Sequence, residues 1–283
     1  MTTLITLDVF SGRQNPTWVL SDKQDTQLRN RLDSLNAVTD RRPSGAFGGL
    51  GYRGFKISTH DPSHGTTTIG RVHEAIFDRG ISTSNLIDNT EVEKFLLETM
   101  PDAERALIES HLSERLPEKS QFNAATAAVT CPKCVAADAP AYNPAPWNAP
   151  STQPFNNCYN YANDHATNTF AQPGRAHGAM TTTMDCAHVQ PAAVADGLAA
   201  AANFAAPLKN GAGWYVALVI WPGADYHWYR QDSGGCWSHK PGQTAARDVD
   251  NAGNKITDPR TCNRGPYTVF CSYMVTKRGL VIN

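Results

Sequence analysis

An α+β fold class is what the chain predicts, on three observations. Alternating runs such as residues 4–10, and one continuous apolar run, Trp214–Trp221, have the period and bounding turns of strands. Two capping boxes, Ser21-x-x-Gln24 and Thr90-x-x-Glu93, open segments of helical period. Between these groups the composition shifts at residues 117–155 to Pro, Ala and Asn, which favours extended backbone. The expected organisation is a small α+β domain over 1–116, a linker over 117–155, and a second domain over 156–283 with a helix packed on an antiparallel sheet.

In order, residues 4–10 read as a strand, Ser11-Gly-Arg-Gln-Asn-Pro16 as a turn, and residues 17–20 as a return strand. The helix opened by Ser21 buries Leu28, Leu32 and Leu35; short strands are expected at 55–58 and 67–77. The second capping box precedes Val92, Phe95, Leu96 and Leu97, and 102–116 reads as a further helix burying Ala106, Leu107 and Leu112. The turn residues Arg13 and Asn15 read as a rigid connection rather than a ligand contact. His60, His64 and His73 lack the tight spacing of metal ligands and read as loop histidines.

The linker holds Cys131-Pro-Lys-Cys134, with the spacing of a redox pair or half a zinc site; a local disulfide or two structural thiols are preferred to zinc completed by Cys186 and His188, and redox catalysis comes last. Asn156-Asn157 caps a helix expected to run from Cys158 to about Phe170, and Pro191 suits the first position of another, through Val194, Leu198, Ala201 and Phe204. Asp248–Asn254 has alternating oxygen donors but no acidic twelfth ligand, so it reads as a turn. Residues 267–275 form a closing strand, which Cys262 and Cys271 are placed to staple.

Composition bounds the function. The 283 residues, 41% hydrophobic, suffice for two cores. A net charge of −1 and pI near 6.7 provide no concentrated basic face, so no nucleic-acid partner is expected. No apolar run reaches membrane-spanning length, and Met1–Asp8 lacks the features of a signal peptide. The charged fraction of 18% suits an extracellular or surface location. The seven cysteines leave at least one unpaired; with Cys158 the free one, the other six allow three disulfides in fifteen arrangements. A reducing compartment with free thiols is the alternative.

The chemistry-bearing stretch is Asp225–His239. His227, Tyr229 and Gln231 share one strand face. If Gln231 pairs with Gly235 around a left-handed Gly234, His227 lies opposite His239, and two imidazoles emerge together. A thiol needs such a base to become a nucleophile, and Cys158, at a helix start where the dipole lowers its pKa, supplies one.

A cysteine at a helix N-terminus, followed by a strand histidine and a second histidine twelve residues on, resembles the NlpC/P60 branch of the papain-like cysteine peptidases over residues 156–239. The chain departs from that family's pattern where Asn157-Cys158-Tyr159-Asn160 and His227-Trp228-Tyr229 stand. The resemblance implies a papain-like second domain and acyl transfer from a peptide or isopeptide bond, with peptidoglycan stem peptide as the substrate. In that reading Cys158 is the nucleophile, His227 the general base and then acid, and His239 its orienting partner. The Cys158 amide with Asn157 or Tyr142 would hold the oxyanion, with Tyr229 and Gln231 as substrate candidates. No cofactor and no metal are called for. A thiol acyltransferase and a non-catalytic binding or assembly protein are the competing readings. For 1–116 a substrate-positioning or targeting role is expected.

Overall fold

The structure is a computed structural model that describes residues 1–38, 49–73, 76–78, 85–87, 91–102, 104–105, 129–134 and 136–283. Contacts divide the chain into two units: Met1–Val9, Asn15–Phe47 and Tyr52–Ser120, and then Phe10–Gln14, Gly48–Gly51 and Gln121–Asn283. Both are mixed α and β, each with one antiparallel sheet and few helices.

In the first unit the sheet order is β2-β1-β4-β5-β6-β7-β3. The strands are β1 (Thr2–Leu7), β2 (Thr17–Val19), β3 (Asn36–Val38), β4 (Phe55–Asp61), β5 (Gly65–His73), β6 (Ile76–Asp78) and β7 (Asn85–Ile87). Alternation along β1 turns Ile5 and Leu7 inward, and Ile5 pairs with the equally buried Ile57 of β4. Helix α1 (Asp22–Asp33) starts where its capping box places it: Ser21 Oγ accepts the Gln24 amide, and Gln24 Oε1 accepts the Ser21 amide. Leu28 and Leu32 are its buried residues, and Val92, Phe95 and Leu96 are buried on α2 (Glu91–Glu98). Thr90, and residues 106–116 of the helix expected after α2, lie outside the described residues.

A buried charge cluster anchors this sheet. Asp8 Oδ1 accepts from Arg53 Nε (3.0 Å) and Nη2 (2.7 Å), and its Oδ2 from Arg71 Nη1 at 2.5 Å. Burial works against the Asp8 charge, but the two guanidinium groups overcome it and hold the carboxyl far below the usual range. Asn15 closes the adjoining turn, accepting from the Val9 amide and donating to Asp8.

The second unit's sheet has the order β11-β10-β9-β12-β8. Its strands are β8 (Ala199–Ala201), β9 (Trp214–Trp221), β10 (Asp225–Gln231), β11 (Trp237–His239) and β12 (Val269–Thr276). Every residue of β9 is buried, as its unbroken apolar run requires of a central strand. Residues 136–155 belong to this unit too, and Trp147 sets its ring edge-on to Tyr161 at 5.1 Å.

Several elements differ from expectation. The helix at Cys158 is α3 (Cys158–Ala162), one turn long, and the chain then bends through positive φ at Asp164, Asn168 and Phe170. Asn side chains end it: Asn163 Nδ2 donates to the Tyr159 carbonyl, and Asn160 Nδ2 donates to His165 O and Thr167 Oγ1. Helix α4 (Cys186–Ala195) begins before Pro191, capped by Asp185 accepting the His188 amide, and residues 199–201 are strand.

The disulfides are Cys131–Cys236 and Cys186–Cys271, leaving Cys134, Cys158 and Cys262 as thiols. Three bridges, a Cys131–Cys134 pair and a Cys262–Cys271 staple are thereby replaced. The zinc alternative also goes, because Cys131 and Cys186 are already bonded.

Candidate functional site

The hairpin of β10 and β11 carries the site. Its register is Tyr229↔His239 and Gln231↔Trp237, so His227 is diagonal to His239 rather than opposite it. The connection is two residues longer than expected and Gly235, not Gly234, takes positive φ, 91°. A Cβ on Gly235 would stand 1.5 Å from the Pro132 carbonyl, and Cys236 beside it is disulfide-bonded to Cys131. The bridge and the close approach set the loop.

The imidazoles still meet. His227 Nε2 lies 2.8 Å from His239 Nδ1, and His239 Nε2 lies 3.1 Å from the Val249 carbonyl. A carbonyl only accepts, so His239 carries its proton on Nε2 and presents a lone pair at Nδ1. His227 must then donate through Nε2, which leaves its lone pair on Nδ1. Tyr229 stacks on His239 (4.9 Å, 22°) and stands edge-on to His227 (4.7 Å). Both histidines and Tyr229 are fully buried.

Helix α3 packs on the other face of the hairpin. Tyr159 meets Trp228 at 5.4 Å, Arg230 lies 4.2 Å over the Tyr161 ring, and Tyr161 Oη is 2.7 Å from Ser238 Oγ. Arg230 is held in turn by Asp232 and Asp164. Burial pushes the Asp232 carboxyl up to about 6 despite that partner. Cys158, fully buried at the start of α3, packs with Tyr226 and Trp228.

The described part of the β10–β11 ladder stops at Tyr229, and the next amide, that of Trp228, donates to the Cys158 sulfur. The sulfur thus meets the peptide that joins His227 to Trp228, from the α3 side of the hairpin. Among the described residues no hydrogen bond joins it directly to either imidazole.

The thiol pKa moves opposite to expectation. Burial pushes it well above its ordinary value and the Asp225 charge adds to that; the Trp228 amide and Lys240 pull the other way. Of the helix-start amides only that of Cys158 itself helps, because Asn157 Oδ1 already accepts those of Tyr159 and Asn160. Cys262 is pushed up to about 12, mainly by burial. Alkylation of the native chain at neutral pH is expected to mark the partly exposed Cys134 well before Cys158; peptide mapping of the labelled protein measures the order.

The remaining sequence candidates have other engagements. Asn157 is a helix cap whose Nδ2 donates to Gly12 O (2.8 Å) and Ala171 O (2.7 Å). Gln231 joins the hairpin loop, donating to Gly235 O and accepting from Cys134 Sγ. Tyr142 is engaged elsewhere, donating to the Ala246 carbonyl and lying under the Lys255 ammonium.

Two buried charges escaped the sequence. Lys240 Nζ donates to the carbonyls of Gln153 (2.6 Å), Asn156 (2.5 Å) and Gly242 (2.7 Å). Asp225 accepts from the amides of Ser11 (2.5 Å), Gly12 (3.1 Å) and Arg13 (2.9 Å), and from Tyr267 Oη at 2.6 Å. Burial raises the Asp225 carboxyl, against those four donors. Their partners are distant in sequence or backbone atoms, so no local spacing announces them.

No family model matches the chain, and no solved structure matches it. Among characterised proteins, insoluble matrix shell protein 1 of Ruditapes philippinarum is 47% identical over 133 residues, 47% of this chain and 87% of that protein. No helix among the described residues is long and apolar enough to cross a membrane.

Proposed function

The chain belongs to the family of insoluble matrix shell protein 1, and we propose that its second unit is a cysteine-dependent amide hydrolase site of an extracellular protein. The observation that carries the chemistry is the Val249–His239–His227 relay, which fixes the lone pair of His227 on Nδ1. His227 is the base for the Cys158 S–H, whose sulfur is bonded to the adjoining Trp228 amide. The sulfur attacks the amide carbonyl, His227 returns the proton to the departing amine, and water or another acceptor cleaves the thioester. Buried and protonated at rest, the thiol ionises only as the proton passes to His227. Two disulfides fit maturation in an oxidising compartment. Peptide or peptidoglycan stem remains the substrate class the NlpC/P60 resemblance implies.

The test is amine release from peptide amides by the wild-type chain and by Cys158→Ala in parallel. Release confined to the wild type supports the reading; equal release, or none from either, refutes it. A second reading, a non-catalytic matrix component, draws on the similarity to insoluble matrix shell protein 1 and on the full burial of Cys158. It gains if neither chain turns over peptide while the purified protein assembles into insoluble material.

A further inference from the structure

The second unit contains a short segment, Phe10–Gln14, bound by side chains that start from two sides of the thiol. The Gly12 carbonyl accepts from Asn157 Nδ2 (2.8 Å) and Gln172 Nε2 (2.9 Å), and the Tyr226 hydroxyl is 3.2 Å away. Asn157 precedes Cys158 in the chain, and Tyr226 packs with it in the same core cluster. The amides on either side of that carbonyl are bound as well: those of Ser11, Gly12 and Arg13 all donate to Asp225, two residues before His227. Arg13 Nη1 adds a bond to the Ala224 carbonyl at 2.7 Å. Both polar ends of one short peptide are therefore read by fixed side chains, in the manner of a bound ligand.

The cradle also selects for size. A Cβ on Gly12 would stand 2.3–2.6 Å from three atoms of the Tyr226 ring. That ring is 2% exposed, and its hydroxyl lies 2.9 Å from Gln172 Oε1, so it has no room to yield.

We propose that Asn157, Gln172, Tyr226 and Asp225 form a peptide-binding subsite selective for glycine, held in this structure by the chain's own Ser11–Gly12–Arg13. The subsite deepens the hydrolase reading and rests on it for its purpose: substrates are peptides that place glycine against Tyr226, and they must first displace the internal segment. Asp225 matches a run of successive backbone amides, which any peptide offers, whereas the Tyr226 wall admits only the residue without a side chain.

The experiment uses the full chain with Cys158→Ser, so that binding is read without chemistry. Gly12→Ala expels the internal segment, and two probes are titrated by calorimetry: acetyl-Phe-Ser-Gly-Arg-Gln-amide and its Gly→Ala counterpart. The glycine peptide is expected to bind Gly12→Ala about tenfold or more tighter than the chain that keeps Gly12, the free-energy equivalent of one or two hydrogen bonds, and the alanine peptide more weakly than the glycine one. With Cys158 retained, Gly12→Ala should be alkylated at Cys158 about tenfold faster, and the glycine peptide should suppress that gain. Equal affinity for the two peptides, or no binding to a folded Gly12→Ala chain, overturns the proposal. If Gly12→Ala does not fold, Gln172→Ala takes its place: faster Cys158 alkylation that the glycine peptide suppresses supports the proposal, and an unchanged rate overturns it. Binding with glycine preference but no turnover by the Cys158 chain fails the chemistry alone; turnover without glycine preference fails the subsite alone.

Discussion

Turnover by His227→Ala is expected to fall by about 10²–10⁴, the usual contribution of a positioned general base. The loss follows from the relay, in which the only proton-accepting nitrogen of His227 is Nδ1 and nothing else among the described contacts of Cys158 is a base near neutrality. His239→Ala is expected to cost less, about 10–10², because it removes the lone pair that fixes the His227 tautomer but leaves the base itself. The two variants are separated by their pH profiles. The His239→Ala profile should keep an ascending limb displaced from that of the wild type, and the His227→Ala profile should lose it. Wild-type turnover in His227→Ala would remove the relay from the mechanism.

Asp8→Ala is expected to destabilise the first unit by about 3–5 kcal/mol, the cost of stripping one partner from a buried ion pair. Arg53 is 1% exposed and would remain charged without its carboxylate, and Arg71 would lose its bond as well. Asp8→Asn keeps the shape and one acceptor, so it separates charge from packing. The sign with pH follows from the depressed carboxyl. Its stabilisation is whole above the unfolded value of 3.8 and is lost as the pH falls below it toward the lower folded value. Denaturant unfolding of wild type and Asp8→Ala should therefore differ most near pH 7 and converge in strong acid. A gap independent of pH would place the contribution in packing.

Much of the sheet framework was legible because it is periodic. The unbroken run of β9, the alternation of β1 and the reciprocal Ser21–Gln24 box each state their structure locally. The pairing of His227 with His239 was legible as proximity but not as register. The register depends on a Gly235 conformation dictated by the Pro132 carbonyl and on a disulfide across 105 residues. The length of α3 was hidden for a different reason: Asn160 and Asn163 satisfy backbone groups that a longer helix would have used. The fall expected in the Cys158 pKa assumed unoccupied helix-start amides and some solvent; Asn157 takes the amides, and the core excludes the solvent.

The bonds from Ser11, Gly12 and Arg13 to Asp225 span 212–214 residues, which has a consequence for biosynthesis. At roughly 5–20 residues per second, translation delivers Asp225 about 10–40 s after those amides have left the ribosome. Those amides must wait, already synthesised, for a carboxylate made more than two hundred residues later. The second unit is therefore closed only late in its own synthesis, and a fragment released by cleavage ahead of Asn156 would lack the piece that closes it.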